Sequence, residues 1–190
     1  MIITEKMDNM GIEKFDLINM SWVALHLNNI DNLLKVLKGV LLETGIIMIE
    51  DIDDRVNAVS DKDSEKDFNK IYDICDKEGF SGNRKSGLNV KCYLEKNGYI
   101  IIDGNDSGFS SDTPGTEKKD FWDTYFEMIY QDMKKIRDDK LFEEKYTGVG
   151  DFENDYDWLM SNRQRLYNIF HSNEFTFVFG VVIFVASLKR

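Results

Sequence analysis

FDLINMSWVALHL (Phe15–Leu27), NNIDNLLKVLKGVLLETG (Asn28–Gly45) and IIMIEDIDD (Ile46–Asp54) form one continuous stretch that decides the fold. The first segment predicts an apolar strand that starts beside an acid. The second predicts an amphipathic helix that ends at a glycine, and the third predicts another apolar strand, which ends in acids. Because a helix joins two apolar strands, we expect a parallel pair with a right-handed crossover.

The helix in this stretch has recognisable ends. Asn28 and Asn29 are both good N-cap residues, and Gly45 suits the left-handed conformation that often closes a helix. The apolar residues that recur at helical spacing are Ile30, Leu33, Leu34, Leu37 and Leu41. This spacing predicts one apolar face along the helix.

Further elements follow from patterning along the rest of the chain. Ser64 and Asp67 resemble a capping box, which predicts a helix that starts there. The other expected elements are a short helix over Leu88–Asn97, a strand over Tyr99–Ile102, a mobile loop over Asp103–Gly115, two aromatic-rich helices separated by a loop over Lys145–Gly150, and a strand over Phe175–Ala186. That last run is too short to span a bilayer as a helix and is rich in β-branched and aromatic residues, so we expect a strand buried on both faces.

Bulk composition limits the possible functions. The chain has 190 residues with 42% hydrophobic content, which is typical of one globular domain. Its formal net charge of -11 repels phosphate backbones and anionic lipid, so we expect neither a nucleic acid nor a membrane as a partner. Cys75 and Cys92 have no metal-like or redox-like spacing and no signal peptide is recognisable, which favours a cytoplasmic location.

The order of these elements resembles the C-terminal part of a class I S-adenosylmethionine-dependent methyltransferase. FDLI, a following W-V-x-L-H-L-like run and an acidic strand end carry the resemblance. It implies an α/β fold with a partial Rossmann-like methyltransferase sheet, mostly parallel, whose last strand is inserted antiparallel between its two predecessors. The resemblance further implies a single domain, with a sheet core in residues 1–115 and 172–190 and a helical cap insertion over residues 116–171.

The resemblance also implies a cofactor site for S-adenosylmethionine, which we expect to bind only with a completing partner chain or an upstream segment. In the family, an acid after the third strand contacts the adenine, and Glu5 stands at about the right distance before Phe15 to be that acid. Asn19, Met20 and Ser21 correspond to the wall beside the methionine part of the cofactor. The glycine-rich loop and the acid for the ribose lie upstream of this stretch in the family, and neither is recognised in the residues before Phe15.

Candidate catalytic and substrate residues each have a structural alternative. His26 is either a general base or a surface residue, and Trp22 is either pocket wall or core. Glu50, Asp51, Asp53 and Asp54 cluster at a strand end, where they either solvate a loop or hold a substrate amine or its proton. Their spacing is not that of a calcium loop, so no metal is expected.

Three residues later in the chain complete the predicted substrate site. Arg84 either grips a carboxylate or phosphate or is an ordinary loop arginine. Trp122 and Tyr125 line the core of the cap and have substrate contact as a secondary role. Together with Trp22 and Asp53 these residues are the predicted substrate contacts, and His26 and Asp51 are the predicted catalytic pair.

The sequence therefore predicts a methyltransferase, or the C-terminal part of a split or truncated one, acting on a small molecule or a protein. We expect the chain to be inactive without the N-terminal half of the fold, which in the family carries the glycine-rich loop. Since an apolar sheet edge is normally hidden, we also expect a partner chain or a homodimer to cover it. The alternative is a non-catalytic methyltransferase-like subunit that binds and regulates a partner chain.

Overall fold

The structure, a computed structural model, describes residues 14–78, 82–115, 117–139 and 149–189. The strands are β1 (Phe15–Ser21), β2 (Leu41–Ile52), β3 (Ala58–Val59), β4 (Tyr99–Ser110) and β5 (Phe177–Leu188). The helices are α1 (Ile30–Val40), α2 (Lys62–Glu78), α3 (Gly87–Lys96), α4 (Lys118–Tyr125), α5 (Glu127–Asp138) and α6 (Val149–Phe170), with 3-10 turns at Ala24–His26 and Asp54–Val56.

The chain divides into two units. The first comprises Met1–Arg55, Lys85–Ser107 and Val181–Arg190, as far as these are described, and the second comprises Val56–Arg84 and Gly108–Gly180. Residues 116–171, the predicted cap, fall within the second unit, which also takes in α2. The predicted division into a sheet core and a cap stays a prediction.

The β1–α1–β2 unit confirms the prediction made from the opening stretch. β1 and β2 pair in parallel, with Leu17 opposite Ile46 and Ser21 opposite Glu50. Asn29 caps α1, because its side-chain oxygen accepts a hydrogen bond from the Asn32 backbone N–H at 3.1 Å. The strand ends of β1 and β2 therefore lie side by side at their carboxyl ends.

The predicted helix end at Gly45 is wrong. Helix α1 ends at Val40, and Leu41 already belongs to β2, where it is fully buried. A Cβ atom on Gly45 would lie 2.9 Å from the Phe15 carbonyl oxygen and 3.1 Å from that of Asp16. Gly45 is thus required by the close approach of β1 at a register shift between the strands, and not by a left-handed helix cap.

The last strand lies where the methyltransferase resemblance placed it. β5 is antiparallel to β2, with Ile49 opposite Phe184, and it also pairs with β4. β3 pairs antiparallel with the start of β5. The mixed α/β fold with an antiparallel last strand between its two predecessors is confirmed, and the final apolar run is a strand. Within the described residues, no helix is both long enough and apolar enough to cross a membrane.

The predicted mobile loop over Asp103–Gly115 is mostly wrong, since β4 continues to Ser110. The glycines that suggested a loop are sites of close packing. A Cβ atom on Gly104 would lie 2.6 Å from the Phe184 ring, and one on Gly108 would lie 2.3 Å from the Val178 side chain. Here glycine makes room for neighbouring β5 side chains instead of marking a turn.

In the first unit, α1 and α3 pack with the sheet. The Tyr99 hydroxyl at the start of β4 donates a hydrogen bond to the Leu34 carbonyl oxygen of α1 at 2.9 Å, and burial raises the pKa of Tyr99 to about 12. Lys96 of α3 and Asp31 of α1 form an ion pair at 2.9 Å. Gly98 lies just after α3 and has a φ of 79°, in the left-handed region that favours glycine.

The second unit is built around aromatic side chains. Phe68 of α2 stacks on Phe175 with ring centroids 5.1 Å apart, and Trp122 of α4 stacks on Phe126 at 5.0 Å. Phe126 also interrupts the first predicted aromatic helix, which is two helices, α4 and α5. These rings are fully buried, so the aromatic-rich segments form a core.

Two further helix starts differ from the predictions. Asp61, not Ser64, caps α2: its carboxylate accepts hydrogen bonds from the Asp63 backbone N–H at 3.0 Å and from the Ser64 hydroxyl. Asp67, the expected partner of Ser64, instead pairs with Arg165 at 2.8 Å. The predicted loop over Lys145–Gly150 is helical at Val149 and Gly150, and its other residues lie outside the described part of the chain.

Candidate functional site

The candidate site is formed where the parallel strands β1 and β2 end. Ser21 closes β1 and is exposed, and it lies opposite Glu50 of β2. The carboxyl ends of parallel strands are the usual ligand side of an open α/β sheet. The residues that follow these ends, as far as His26 after β1 and Arg55 after β2, are therefore the candidates for ligand binding.

Trp22 is the most unusual residue at this edge. Its φ is 57°, in the left-handed region that bulky residues rarely adopt. Its backbone N–H donates to the Glu50 carbonyl oxygen at 2.8 Å, and its indole Nε1–H donates to the Glu50 carboxylate at 3.2 Å. Both side chains are half-buried. Strained backbone held by its surroundings is a feature that concentrates at functional sites.

Asp51 is fully buried, although it was predicted as a catalytic residue. Its carboxylate accepts hydrogen bonds from the Leu25 backbone N–H at 3.0 Å and from its neighbour Ile52 at 2.9 Å. Burial raises the pKa of Asp51, while these backbone hydrogen bonds and the charge of His26 act to lower it. The visible contacts hold the 3-10 turn at Ala24–His26 against the end of β2, and a catalytic role stays a prediction.

Asp53 is also fully buried, and its carboxylate accepts four hydrogen bonds. Two come from the Arg55 guanidinium, at 2.7 Å and 2.6 Å, one from the Arg55 backbone N–H at 3.1 Å, and one from the Leu88 N–H at 2.8 Å. Burial acts to raise the pKa of Asp53, but the hydrogen bonds from Arg55 and Leu88 outweigh it, and the pKa is lowered. Asp53 thus caps α3 from a distant part of the chain. Its predicted role in substrate binding stays a prediction.

The remaining site residues of the first unit differ in accessibility. His26 is exposed at the end of the 3-10 turn, and its backbone N–H donates to the Val23 carbonyl oxygen at 3.1 Å. Asn19 and Ser21 are exposed, whereas Met20 is buried on the opposite side of the strand. Because side chains alternate along a strand, Met20 cannot face the same side as its two neighbours. Glu5 lies outside the described residues.

Three predicted substrate contacts belong to the second unit. Arg84 is buried, with its guanidinium 5.9 Å from the ring centre of Tyr72 and 5.8 Å from that of Phe179. Trp122 is fully buried in the aromatic core, and Tyr125 is half-buried and stacks on Phe179 at 4.4 Å. These contacts give the three residues packing roles, and their predicted contact with a substrate stays a prediction.

Sequence reasoning missed two features of the site. Arg55 follows Asp53 by two residues and binds its carboxylate, and the Lys85 carbonyl oxygen accepts a further hydrogen bond from Arg55 at 2.7 Å. The pairing of Glu50 with Trp22 was also missed. The pairing of Asp53 with Arg55 had a usable signal, an acid two residues before an arginine. The pairing of Trp22 with Glu50 joins residues 28 positions apart and had no local signal.

Comparison with known proteins gave similarity to solved structures alone. No family model matches the chain, and no curated protein matches it. A candidate methyltransferase from Bacillus halodurans C-125 is 14% identical with a TM-score of 0.48, and the alignment covers 94% of this chain and 66% of that one. A SAM-dependent methyltransferase from Geobacter sulfurreducens, solved with S-adenosyl-L-homocysteine, is 13% identical with a TM-score of 0.38, covering 93% and 59%. A cyclopropane synthase from Mycobacterium tuberculosis is 10% identical with a TM-score of 0.41, covering 94% and 57%.

This chain therefore spans less than two thirds of the length of each of these three proteins. At such identities and TM-scores the similarity carries no argument about activity. Any inference about function rests instead on the strand order of this chain and on the residues at the ends of β1 and β2.

Proposed function

We propose that this chain belongs to a class I S-adenosylmethionine-dependent methyltransferase, acting on a small molecule or a protein side chain. The observation that carries the proposal is the position of β5, which is antiparallel to β2 and also pairs with β4. This is the order that the resemblance in the opening stretch implies. The parallel ends of β1 and β2 then form the ligand side of the sheet.

The residues at that edge suit the methionine end of the cofactor. S-adenosylmethionine, when bound, supplies a methyl group on a positively charged sulfur, together with an ammonium group. Ser21 is an exposed hydroxyl, and Trp22 presents a half-buried ring. An aromatic face is a favourable neighbour for a cation. Binding of adenine by Glu5 remains part of the proposal.

The protein's part in methyl transfer is placement and exclusion of water. A bound acceptor must lie in line with the methyl group, and covalent help from the protein is not needed. The 3-10 turn at Ala24–His26 is fixed by Asp51, and this anchors the exposed His26 beside the strand ends. His26 would accept a proton from the acceptor, which is the role proposed for it.

A specific observation favours the second candidate function, a non-catalytic subunit that regulates a partner chain. The carboxylates of Asp51 and Asp53 are buried and engaged by backbone N–H groups and by Arg55. Two of the four acids at the strand end are therefore used for structure. A chain that keeps the fold but uses its acids in this way would bind a partner without turning over the cofactor.

Titration calorimetry with S-adenosylmethionine and with S-adenosylhomocysteine, of the chain alone and of the chain with candidate partner chains, tests the first proposal. We expect both ligands to bind and Trp22→Ala to weaken binding by about tenfold or more, which corresponds to about 1.4 kcal/mol. Trp158→Ala, which removes a half-buried tryptophan from α6, is the matched control and should bind normally. Equal loss in the two variants, or no binding of either ligand to the wild type with or without a partner chain, would count against the cofactor site.

Activity separates the two candidates once binding is known. Binding with transfer of a labelled methyl group supports the enzyme. A companion protein that is fully active without this chain, and whose activity changes when the chain is added, supports the regulatory subunit. A companion that is active only in the complex supports a split enzyme.

We further propose that a partner chain or a second copy covers the free edge of β1. Among the described residues β1 pairs only with β2, and Phe15 and Leu17 are 45% and 51% exposed. Exposed apolar edge strands are normally covered. Sedimentation velocity should show self-association that Leu17→Lys reduces, or association with a co-purified chain that Leu17→Lys also reduces. The matched control is Leu88→Lys, at an exposed leucine of α3.

A further inference from the structure

The Glu50 carboxylate at the end of β2 differs from those of Asp51 and Asp53, because it accepts a hydrogen bond from an aromatic side chain. The Asp51 and Asp53 carboxylates accept hydrogen bonds from backbone N–H groups, whereas the Glu50 carboxylate accepts one from the Trp22 indole at 3.2 Å. Glu50 itself lies opposite Ser21 in the parallel pair. Its side chain therefore joins the end of β2 to the residue that directly follows β1.

We propose that Glu50 is a positioning residue, which holds the Trp22 indole as a wall of the proposed S-adenosylmethionine site. The part of this inference that concerns the cofactor rests on the proposed function. The part that concerns the ring stands on the geometry of the two residues. Glu50 acts through Trp22, by accepting its indole N–H, and is not assigned a step in the chemistry.

The backbone of Trp22 explains why such a residue is needed. A tryptophan at a φ of 57° is in a conformation that costs energy, and nearby residues must hold it. The Trp22 N–H to Glu50 carbonyl bond fixes the backbone, but it does not set the direction of the ring. The bond from Nε1 to the carboxylate does set it, because indole has a single N–H and donates along one direction.

The hydrogen bond predicts a pattern across two substitutions. Glu50→Gln keeps a side-chain oxygen that can accept the indole N–H, whereas Glu50→Ala removes the acceptor. If Glu50 positions the ring, the glutamine variant should behave like the wild type and the alanine variant should not. If Glu50 acted by its negative charge, the two variants would fail together.

The indole N–H signals of the ¹⁵N-labelled full chain provide the first measurement. The chain has three tryptophans, and Trp22→Phe assigns the signal of Trp22. We expect that signal to move towards the position of a free indole, and its N–H to exchange faster with solvent, in Glu50→Ala, with recovery in Glu50→Gln. Glu95→Gln, at an exposed acid of α3, should leave all three signals unchanged.

Binding of S-adenosylhomocysteine provides the second measurement. We expect Glu50→Ala to weaken binding by about tenfold and Glu50→Gln to stay within about threefold of the wild type, since a tenfold change corresponds to one well-placed hydrogen bond. Circular dichroism of both variants checks that they fold. A Trp22 signal that is the same in wild type and Glu50→Ala overturns the proposal, as does equal loss of affinity in the two variants.

The two measurements keep this inference separate from the proposed function. If wild-type chain binds no S-adenosylhomocysteine while the Trp22 signal still depends on Glu50, the cofactor site fails and the ring-positioning role is supported. If the ligand binds while the Trp22 signal is independent of Glu50, the proposed function survives and the positioning role is wrong.

Discussion

Trp22 and Glu50 are joined by two hydrogen bonds, one from backbone to backbone at 2.8 Å and one from the indole to the carboxylate at 3.2 Å. Glu50 lies near the end of β2, and Trp22 directly follows the end of the adjacent parallel strand β1. Through them, the chain leaves β1 in a left-handed conformation and enters the 3-10 turn that Asp51 anchors. The edge of the sheet where β1 and β2 end is thus held by strained backbone and by buried acids.

Strain at Trp22 predicts a difference between two small replacements. Trp22→Gly and Trp22→Ala both remove the ring, but only glycine adopts a φ of 57° without steric cost. We expect the glycine variant to be more stable than the alanine variant by about 1 kcal/mol, measured by urea unfolding. An alanine variant as stable as the glycine variant would show that the backbone relaxes there.

Two glycines close together in sequence should respond in opposite directions. Gly45→Ala places a Cβ atom against the Phe15 and Asp16 carbonyl oxygens, so we expect it to destabilise the chain by about 1–3 kcal/mol. Gly39→Ala meets nothing within 4 Å and lies in α1, so we expect it to stabilise by about 0.5–1 kcal/mol. Thermal and urea unfolding measure both. A tolerated Gly45→Ala would contradict the close approach of the strands.

Asp53 predicts a pH dependence of stability with a defined sign. Its pKa in the folded state is lowered, so its contribution is present above the unfolded pKa of about 3.9 and is lost as the pH falls towards the folded pKa. We expect Asp53→Asn to lower the free energy of unfolding at neutral pH by about 1–3 kcal/mol. The difference in the free energy of unfolding between wild type and Asp53→Asn should become smaller on acidification to about pH 3.

The control for Asp53 is an exposed acid in the same unit. Asp106→Asn, in β4, should leave both the stability and its pH profile unchanged. The comparison of variant with wild type also removes the contribution of Asp51. That contribution has the opposite sign, because burial raises the Asp51 pKa and ionisation then costs stability as the pH rises. If the difference in the free energy of unfolding between wild type and Asp53→Asn became larger in acid, the lowered pKa of Asp53 would be contradicted.

Two buried tyrosines predict contrasting effects of removing a hydroxyl. Tyr99 donates to the Leu34 carbonyl oxygen at 2.9 Å, so Tyr99→Phe should cost about 1–2 kcal/mol. The Tyr130 hydroxyl is buried with no hydrogen-bond partner among the described residues, and burial raises the pKa of Tyr130. We expect Tyr130→Phe to be neutral or stabilising by up to about 1 kcal/mol. Denaturant unfolding of the two variants side by side gives the comparison.

Features that depend on neighbouring residues could be predicted from the sequence, and features that depend on distant ones could not. The cap at Asn29 was predicted because it depends on residues within one turn of the helix. Gly45 and Gly104 were misread. Their small size serves contacts with Phe15 and Phe184, which are distant in sequence, and composition alone cannot separate such a glycine from a turn glycine.

The same limit applies to the candidate site. The sequence alone determined that acids and a tryptophan follow two parallel strands, because strand, helix and strand patterns are local and their connection has a preferred geometry. Only the tertiary structure decided how those residues are used: Asp51 is buried and accepts backbone N–H groups, Asp53 is buried and accepts backbone N–H groups and the Arg55 guanidinium, and Glu50 accepts the Trp22 indole N–H. The reason is that a carboxylate takes its role from the donors that folding brings to it, and Trp22, Leu25 and Leu88 lie far along the chain from the acids to which they donate.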